Sequence, residues 1–237
     1  MNNDKRKKRA QALILVAIVL VAWNLIQMIN PKKEVKIACV GDSLTYGMGV
    51  EDRDENCYPM VLQNMLGTDS YTIGNFGVNG ATLQKEGNQP YWEEKRYEQS
   101  VFFEPDIVVL MLGTNDTKEE NWKGSEAFRK DYEALIEEYE KLDTKPTVIL
   151  LTPPVLYQSS EMITDVRASS DSIVSEEAQV ILEIGNEKEL SVINLYELTG
   201  NHPEWYNTDG VHLNAEGAAA IADEVALEIK NLEEKEE

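Results

Sequence analysis

The chain has 237 residues, 42% of them hydrophobic and 27% charged, which leaves room for one sizeable hydrophobic core and therefore one main domain. The formal charge is -21, and residues 34 to 237 hold 15 basic and 42 acidic residues, a charge of -27. Such an acidic domain repels phosphate backbones, so the composition argues against a nucleic-acid partner and favours neutral ligands.

The N-terminal segment has the pattern of a membrane anchor. Five consecutive basic residues, Lys5 to Arg9, precede the 20 mainly apolar residues from Ala10 to Ile29. A helix of that length spans about 30 Å, the thickness of a bilayer's hydrocarbon core, and the basic residues favour a cytoplasmic N-terminus. We therefore expect a single-pass anchor at the cell membrane with the rest of the chain outside the cytoplasm. A cleaved signal peptide is the alternative, although no small-x-small cleavage site follows the apolar run.

The predicted domains follow from this pattern. Residues 1–33 form a basic tail, an anchor and a short linker, residues 34–232 form the main domain, and residues 233–237 form an acidic tail.

Strand-like and helix-like segments alternate along the main domain. Short apolar runs rich in branched residues are typical of buried parallel strands, and five of them occur: Val35 to Val40, Tyr71 to Phe76, Ile107 to Leu112, Thr147 to Leu151 and Val192 to Leu195. Helical periodicity occurs in Tyr58 to Leu66, Ser125 to Leu142, Ser175 to Leu190 and Asn214 to Leu232. We expect a three-layer α/β/α sandwich with a five-stranded, mostly parallel, flavodoxin-like sheet.

The unusual loops of the chain all follow predicted strands. They are Gly41-Asp-Ser-Leu-Thr-Tyr-Gly47, Gly77-Val-Asn-Gly80, Gly113-Thr-Asn-Asp116, Thr152-Pro-Pro154 and the segment from Gly200 to His212. Ligands bind beyond the carboxyl ends of parallel strands, so these loops are predicted to meet at one edge of the sheet.

Four of the sequence blocks resemble the SGNH/GDSL hydrolase family in order and spacing. They are Gly41-Asp42-Ser43, Asn75 with Gly80, Gly113-Thr-Asn115-Asp116 and Asp209-Gly-Val-His212, and the resemblance covers about residues 34 to 232. It implies a serine esterase that needs no metal or cofactor.

Ser43, Asp209 and His212 are the predicted catalytic residues. A serine hydroxyl is a poor nucleophile unless a base takes its proton, and His212 is the candidate base. Asp209, three residues earlier, is placed to accept a hydrogen bond from the other ring nitrogen and to fix the tautomer.

The family pattern also implies an oxyanion hole, formed by the backbone amides of Ser43 and Gly80 and by the side-chain amide of Asn115. Asp42 and Asp116 lie in the same blocks, and we expect their carboxylates to accept backbone N–H groups that hold the loops.

The sequence gives less support to an α/β-hydrolase, to a phosphate-binding loop and to a catalytic role for the other histidine. An α/β-hydrolase has the same residue order, but the Gly-x-Ser-x-Gly elbow is absent around Ser43. Gly47-Met-Gly49 lacks the third glycine and the lysine of the common phosphate-binding loops. His202 precedes a proline and has no carboxylate three residues before it, so it is interpreted as a loop or rim residue.

The substrate is less well defined by the sequence. Trp92 and Trp122 lie beside the predicted site, and their surroundings look similar to those of family members that deacetylate carbohydrates. This favours O-acetyl esters of glycans, with a lysophospholipase or thioesterase as one alternative and an inactive, membrane-tethered glycan-binding module as another. The polar segment from Val155 to Asp171 is predicted as a lid or specificity loop.

Two cysteines, Cys39 and Cys57, do not make a disulfide framework, although a bridge between them stays open. The sequence contains no metal-ligand motif, so no metal is expected. The oligomeric state stays open as well.

Overall fold

The structure is a computed structural model, and it describes residues 34–157 and 165–236 together with positions 8, 13 and 15–17. It divides into two compact units, Met1–Glu34 and Val35–Glu237. The second unit contains every predicted site residue.

The second unit alternates strands and helices along the chain. Its strands are β1 Val35–Gly41, β2 Tyr71–Gly77, β3 Ile107–Met111, β4 Thr147–Leu151 and β5 Ser191–Ile193. Its α-helices are α1 Ser43–Tyr46, α2 Arg53–Asn56, α3 Tyr58–Leu66, α4 Lys95–Phe102, α5 Ser125–Glu140, α6 Asp165–Lys188, α7 Leu195–Thr199 and α8 Ala215–Glu236. Short 3₁₀ turns at Tyr91–Glu93 and Pro203–Trp205 lie in the connecting loops.

Within the described residues the strands form one five-stranded sheet in the order β2-β1-β3-β4-β5. Every neighbouring pair is parallel. This is the flavodoxin-like order, in which the chain reverses its direction of travel across the sheet beside β1. The predicted parallel α/β fold is therefore confirmed.

Alternate residues of each strand enter two separate cores, because successive side chains of a strand point to opposite faces. On one face, Ile37 and Cys39 of β1 pack with α3 and α8. On the other face, Ala38 and Val40 pack with α5 and α6. Both faces of the sheet are covered, which explains why its strands are continuous apolar runs rather than alternating ones.

Several element boundaries differ from the sequence prediction, most of them by one or two residues. The last strand ends at Ile193 instead of Leu195, because the side chain of Asn194 accepts a hydrogen bond from the Glu197 N–H and starts helix α7. Helix α6 begins at Asp165, ten residues before the predicted start, so part of the predicted lid is helical. Residues 158–164 of that lid lie outside the described residues.

The predicted membrane anchor also lies almost entirely outside the described residues, since only positions 13 and 15–17 of the run from Ala10 to Ile29 are included. Among the helices that the structure does describe, none combines the length and the apolar character needed to cross a bilayer.

Candidate active site

The loops after β1 and β2 pack against each other at the carboxyl edge of the sheet. The Val78 N–H donates to the Gly41 carbonyl at 3.0 Å. A Cβ atom at Gly77 would lie 2.1 Å from the Tyr46 backbone nitrogen, so only glycine permits this approach. The Asn75 side chain adds a further link, because its amide donates to the Thr45 carbonyl at 2.8 Å. These contacts hold the loop that carries Ser43.

Ser43 is the first residue of α1, directly after β1. Asp42 caps this helix, and its carboxylate accepts the Leu44 N–H at 2.9 Å. Ser43 is only 5% exposed, which leaves its hydroxyl in a sheltered position at the end of the strand.

His212 joins Ser43 to Asp209 through its two ring nitrogens. Nε2 of His212 lies 3.0 Å from Ser43 Oγ, and Nδ1 lies 2.7 Å from Asp209 Oδ2. Ser43 and His212 are 169 residues apart in the chain, so folding creates this contact. A hydroxyl, an imidazole and a carboxylate thus form one hydrogen-bonded chain.

Asp209 also holds the backbone of its own loop. Its Oδ1 accepts the N–H groups of Val211 and His212, each at 2.9 Å. Burial raises the pKa of Asp209, but the hydrogen bonds from the His212 ring and from these two N–H groups lower it by more, so the net shift is downward. The carboxyl group is therefore ionised at neutral pH and can stabilise a positive charge on the imidazole.

Asn207 is a site residue that the sequence analysis missed. Its side-chain amide donates to the Gly49 carbonyl at 3.2 Å and to the Leu213 carbonyl at 3.1 Å, and its N–H donates to the His212 carbonyl at 2.8 Å. These bonds tie the loop of residues 207–213, which carries His212 (the histidine loop), to the segment of residues 43–49, which carries Ser43 (the serine loop). An asparagine between two loop residues has no distinguishing sequence pattern, so only the tertiary contact identifies it.

The three predicted oxyanion donors follow β1, β2 and β3 in the chain. Among the described residues, neither the Ser43 N–H nor the Gly80 N–H donates a hydrogen bond. Gly80 has φ = +83°, a left-handed conformation that favours glycine. The Asn115 amide donates one bond, to the Ala81 carbonyl at 3.0 Å, and has a second N–H. The loops thus carry the three donor groups that the sequence predicted for an oxyanion hole.

Asp116 fastens the loop of Asn115 to the segment that follows Gly80. Its two carboxylate oxygens accept the N–H groups of Leu83 at 2.8 Å and of Gln84 at 2.7 Å. Burial raises the pKa of Asp116 to about 7, and these two bonds oppose the rise. Burial likewise raises the pKa of Asp42 to about 6, opposed by the Leu44 N–H. Both carboxyl groups are buried, and each accepts backbone N–H groups of the loops around it.

The predicted substrate-binding tryptophans are partly buried against the core that contains Ala38 and Val40. Trp92 donates from Nε1 to the Leu83 carbonyl at 2.8 Å and lies under the Lys85 ammonium group, 3.8 Å from the ring centroid. Trp122 packs on Phe128 with ring centroids 5.9 Å apart. Leu83 follows Gly80 by three residues, so this bond links Trp92 to the segment that follows the predicted oxyanion donor Gly80. Neither tryptophan has a described contact with Ser43 or His212.

His202 stacks on Trp205, with ring centroids 3.8 Å apart, and its Nδ1 lies 2.7 Å from Glu204 Oε1. Cys39 and Cys57 are buried free thiols, so the structure has no bridge between them. In the part of the chain that the structure describes, no group of three or more potential ligands is arranged to hold a metal ion.

Comparison with known proteins agrees with this fold. Residues 39–220 match the model of the GDSL-like Lipase/Acylhydrolase family. The chain therefore belongs to this family of carboxylic ester hydrolases, as the resemblance implied.

Individual relatives carry narrower names. An acetylxylan esterase of Xylanibacter ruminicola is 34% identical over 218 residues, which cover 84% of this chain and 44% of the relative, so the chain spans less than half of that protein. Among solved structures, a lipase/acylhydrolase from Enterococcus faecalis is 27% identical with a TM-score of 0.66, covering 83% of this chain and 96% of the other. A carbohydrate acetylesterase family member from Sinorhizobium meliloti has a TM-score of 0.67 at 22% identity, covering 83% and 97%, and supports the fold.

Proposed function

We propose that the chain is a serine esterase that removes acyl groups, most simply O-acetyl groups, from carbohydrates. The observation that carries the proposal is the chain of hydrogen bonds from Ser43 Oγ through the His212 ring to Asp209, with lengths of 3.0 and 2.7 Å. The 3.0 Å distance is within the range in which a base takes a proton from a nucleophile, and the 2.7 Å distance is that of a hydrogen bond which orients the base.

The three groups share the steps of the proposed reaction. Ser43 Oγ attacks the ester carbonyl while His212 Nε2 takes its proton, and the carbonyl oxygen becomes an oxyanion. His212 then gives the proton to the departing alcohol, which leaves an acyl group on Ser43. Water, deprotonated by the same nitrogen, then attacks the acyl carbon; the bond to Ser43 Oγ breaks, and His212 returns the proton to Oγ as the acid leaves. Asp209 keeps the His212 ring oriented and stabilises its protonated form during both acylation and deacylation of Ser43.

The oxyanion is stabilised by donors that are in place before the reaction. The N–H groups of Ser43 and Gly80 and the second amide N–H of Asn115 are the proposed donors. Because the loops already hold them through Asp42, Asp116 and the Ala81 carbonyl, little reorganisation is needed when the charge develops.

We expect Asn115→Ala to lower kcat by about 10²- to 10³-fold with little change in KM, because one donor to the transition state is lost. Steady-state kinetics on p-nitrophenyl acetate measures both constants. Asn231→Ala, which changes an exposed asparagine of α8, is the matched control. If Asn115→Ala stays folded and keeps kcat within twofold, Asn115 has no role in the oxyanion hole.

Two considerations support a carbohydrate acetate as substrate. The names of the Xylanibacter ruminicola and Sinorhizobium meliloti relatives refer to acetylated carbohydrates. Trp92, which donates to the Leu83 carbonyl, and Trp122 are both only partly buried, and flat aromatic faces suit sugar rings. The anchor and the extracytoplasmic location stay part of the same proposal, since a tethered enzyme outside the cell would meet such glycans.

Acyl-chain length separates this proposal from a lipase or thioesterase. We expect kcat/KM on p-nitrophenyl esters to be highest for acetate and to fall at least tenfold by the octanoate, and we expect acetate release from acetylated xylo-oligosaccharides. Residues 34–237 assayed by both methods provide the test. A rate that rises with chain length would instead favour a long-chain acyl substrate.

A further inference from the structure

Glu177 is a buried carboxyl group that the proposed mechanism leaves unused. It lies on α6, is fully buried, and neither of its oxygens has a hydrogen-bond partner among the described residues. Buried carboxyl groups are nearly always paired, because an ionised carboxylate without partners is strongly disfavoured inside a protein. Its position therefore calls for a physical explanation.

The carboxyl group of Glu177 lies directly against the loop that carries Asn115. A Cβ atom built at Gly113 would be 2.9 Å from Glu177 Oε2 and 3.4 Å from its Cδ. Gly113 has φ = +135° and begins the segment that continues through Asn115 to Asp116. The end of the glutamate side chain thus forms part of the support beneath this turn.

The charged and titratable groups around Glu177 come from several elements. Asp116 and Asp42, on the loops after β3 and β1, interact electrostatically with Glu177, as do Glu176 on α6 and Tyr132 on α5. No cation is among these neighbours. Burial raises the pKa of Glu177 well above its ordinary value, and the negative charges of Asp116 and Asp42 raise it further.

We propose that Glu177 is a positioning residue of the active site, which works with an uncharged carboxyl group and holds the turn from Gly113 so that the Asn115 amide is aimed at the oxyanion. A neutral carboxyl group packs against Gly113 without repelling Asp116 and Asp42. An ionised one would push against both carboxylates, one on the loop of Asn115 and the other beside Ser43. This inference rests on the proposed esterase function.

The first experiment tests the charge state. A carboxyl group that keeps its proton when folded and loses it when unfolded destabilises the fold progressively as the pH rises above about 4. Glu177→Gln has nearly the same shape and no such proton. The melting temperature of this variant minus that of the wild type should therefore be at least about 5 °C larger at pH 8 than at pH 5. Glu176→Gln, which changes the exposed neighbour on the same helix, should show no such gain. A constant difference for Glu177→Gln would overturn the proposal.

The second experiment tests the positioning role through kcat on p-nitrophenyl acetate. We expect Glu177→Gln to stay within about twofold of the wild type, and Glu177→Ala, which leaves space under Gly113, to lower kcat about tenfold with little change in KM. In an Asn115→Ala background the same Glu177→Ala change should cost less than twofold, because its effect passes through Asn115. If Glu177→Ala does not fold, Glu177→Asn replaces it in the cycle.

The outcomes separate the two proposals. A wild-type protein that neither hydrolyses esters nor reacts with a fluorophosphonate would refute the esterase function itself. With an active wild type, a tenfold or larger loss in Glu177→Gln would mean that the ionised carboxylate is needed, and equal losses in both backgrounds of the cycle would mean that Glu177 does not act through Asn115. Either result overturns the positioning role alone.

Discussion

We expect Ser43→Ala to abolish labelling by a fluorophosphonate probe and to lower kcat on p-nitrophenyl acetate by at least about 10⁴-fold. The reason is that alanine removes the only proposed atom that can form the acyl-enzyme bond. His212 and the oxyanion donors stay in place in this variant, so a small residual rate above the uncatalysed reaction is compatible with the mechanism. Labelling followed by mass spectrometry of the modified peptide identifies the nucleophile directly.

Ser70→Ala is the matched control for this experiment. Ser70 lies before β2, where its carbonyl accepts the Val35 N–H at the opposite edge of the sheet. The control should label and turn over as the wild type does. Wild-type activity in Ser43→Ala would refute the nucleophile assignment, and an unlabelled wild type would favour the inactive binding module.

We expect Asp209→Asn to retain the fold and to lower kcat by on the order of 10⁴-fold. An asparagine can keep the Oδ1 acceptor for the N–H groups of Val211 and His212, so the loop keeps its backbone bonds. Its amide nitrogen would replace Oδ2 and present a donor to His212 Nδ1. The ring would then carry its proton on Nε2, which could no longer accept the proton of Ser43.

Glu204→Gln offers a closely matched control, because Glu204 contacts the His202 ring over the same 2.7 Å that separates Asp209 from His212. His202 stacks on Trp205 instead of contacting a serine, so this variant should keep kcat within about twofold. Kinetics together with thermal unfolding measured by circular dichroism separates lost chemistry from lost fold. A loss of less than tenfold in a folded Asp209→Asn variant would mean that another carboxylate orients His212.

Local patterns in the sequence predicted most of the architecture. The apolar runs that became β1 to β4 and the 3.6-residue periodicity of α5 are consequences of burial on a covered parallel sheet, so they are visible without coordinates. The boundaries at β5 and α6 could not be predicted as well. The end of β5 is set by the hydrogen bond from the Glu197 N–H to the Asn194 side chain, which starts helix α7. The sequence does not show whether Asn194 makes this bond or continues the strand.

The sequence alone predicted Ser43, Asp209 and His212 as the catalytic residues and indicated the family, which the family model matches, because ester cleavage needs a nucleophile, a base and a carboxylate and the four sequence blocks supply them in order. Only the tertiary structure decides that Asn207 ties the histidine loop to the serine loop and that Glu177 lies unpaired beneath Gly113. Such contacts join residues more than 60 positions apart. They depend on how helices and loops pack over the sheet, and local sequence carries no record of that packing.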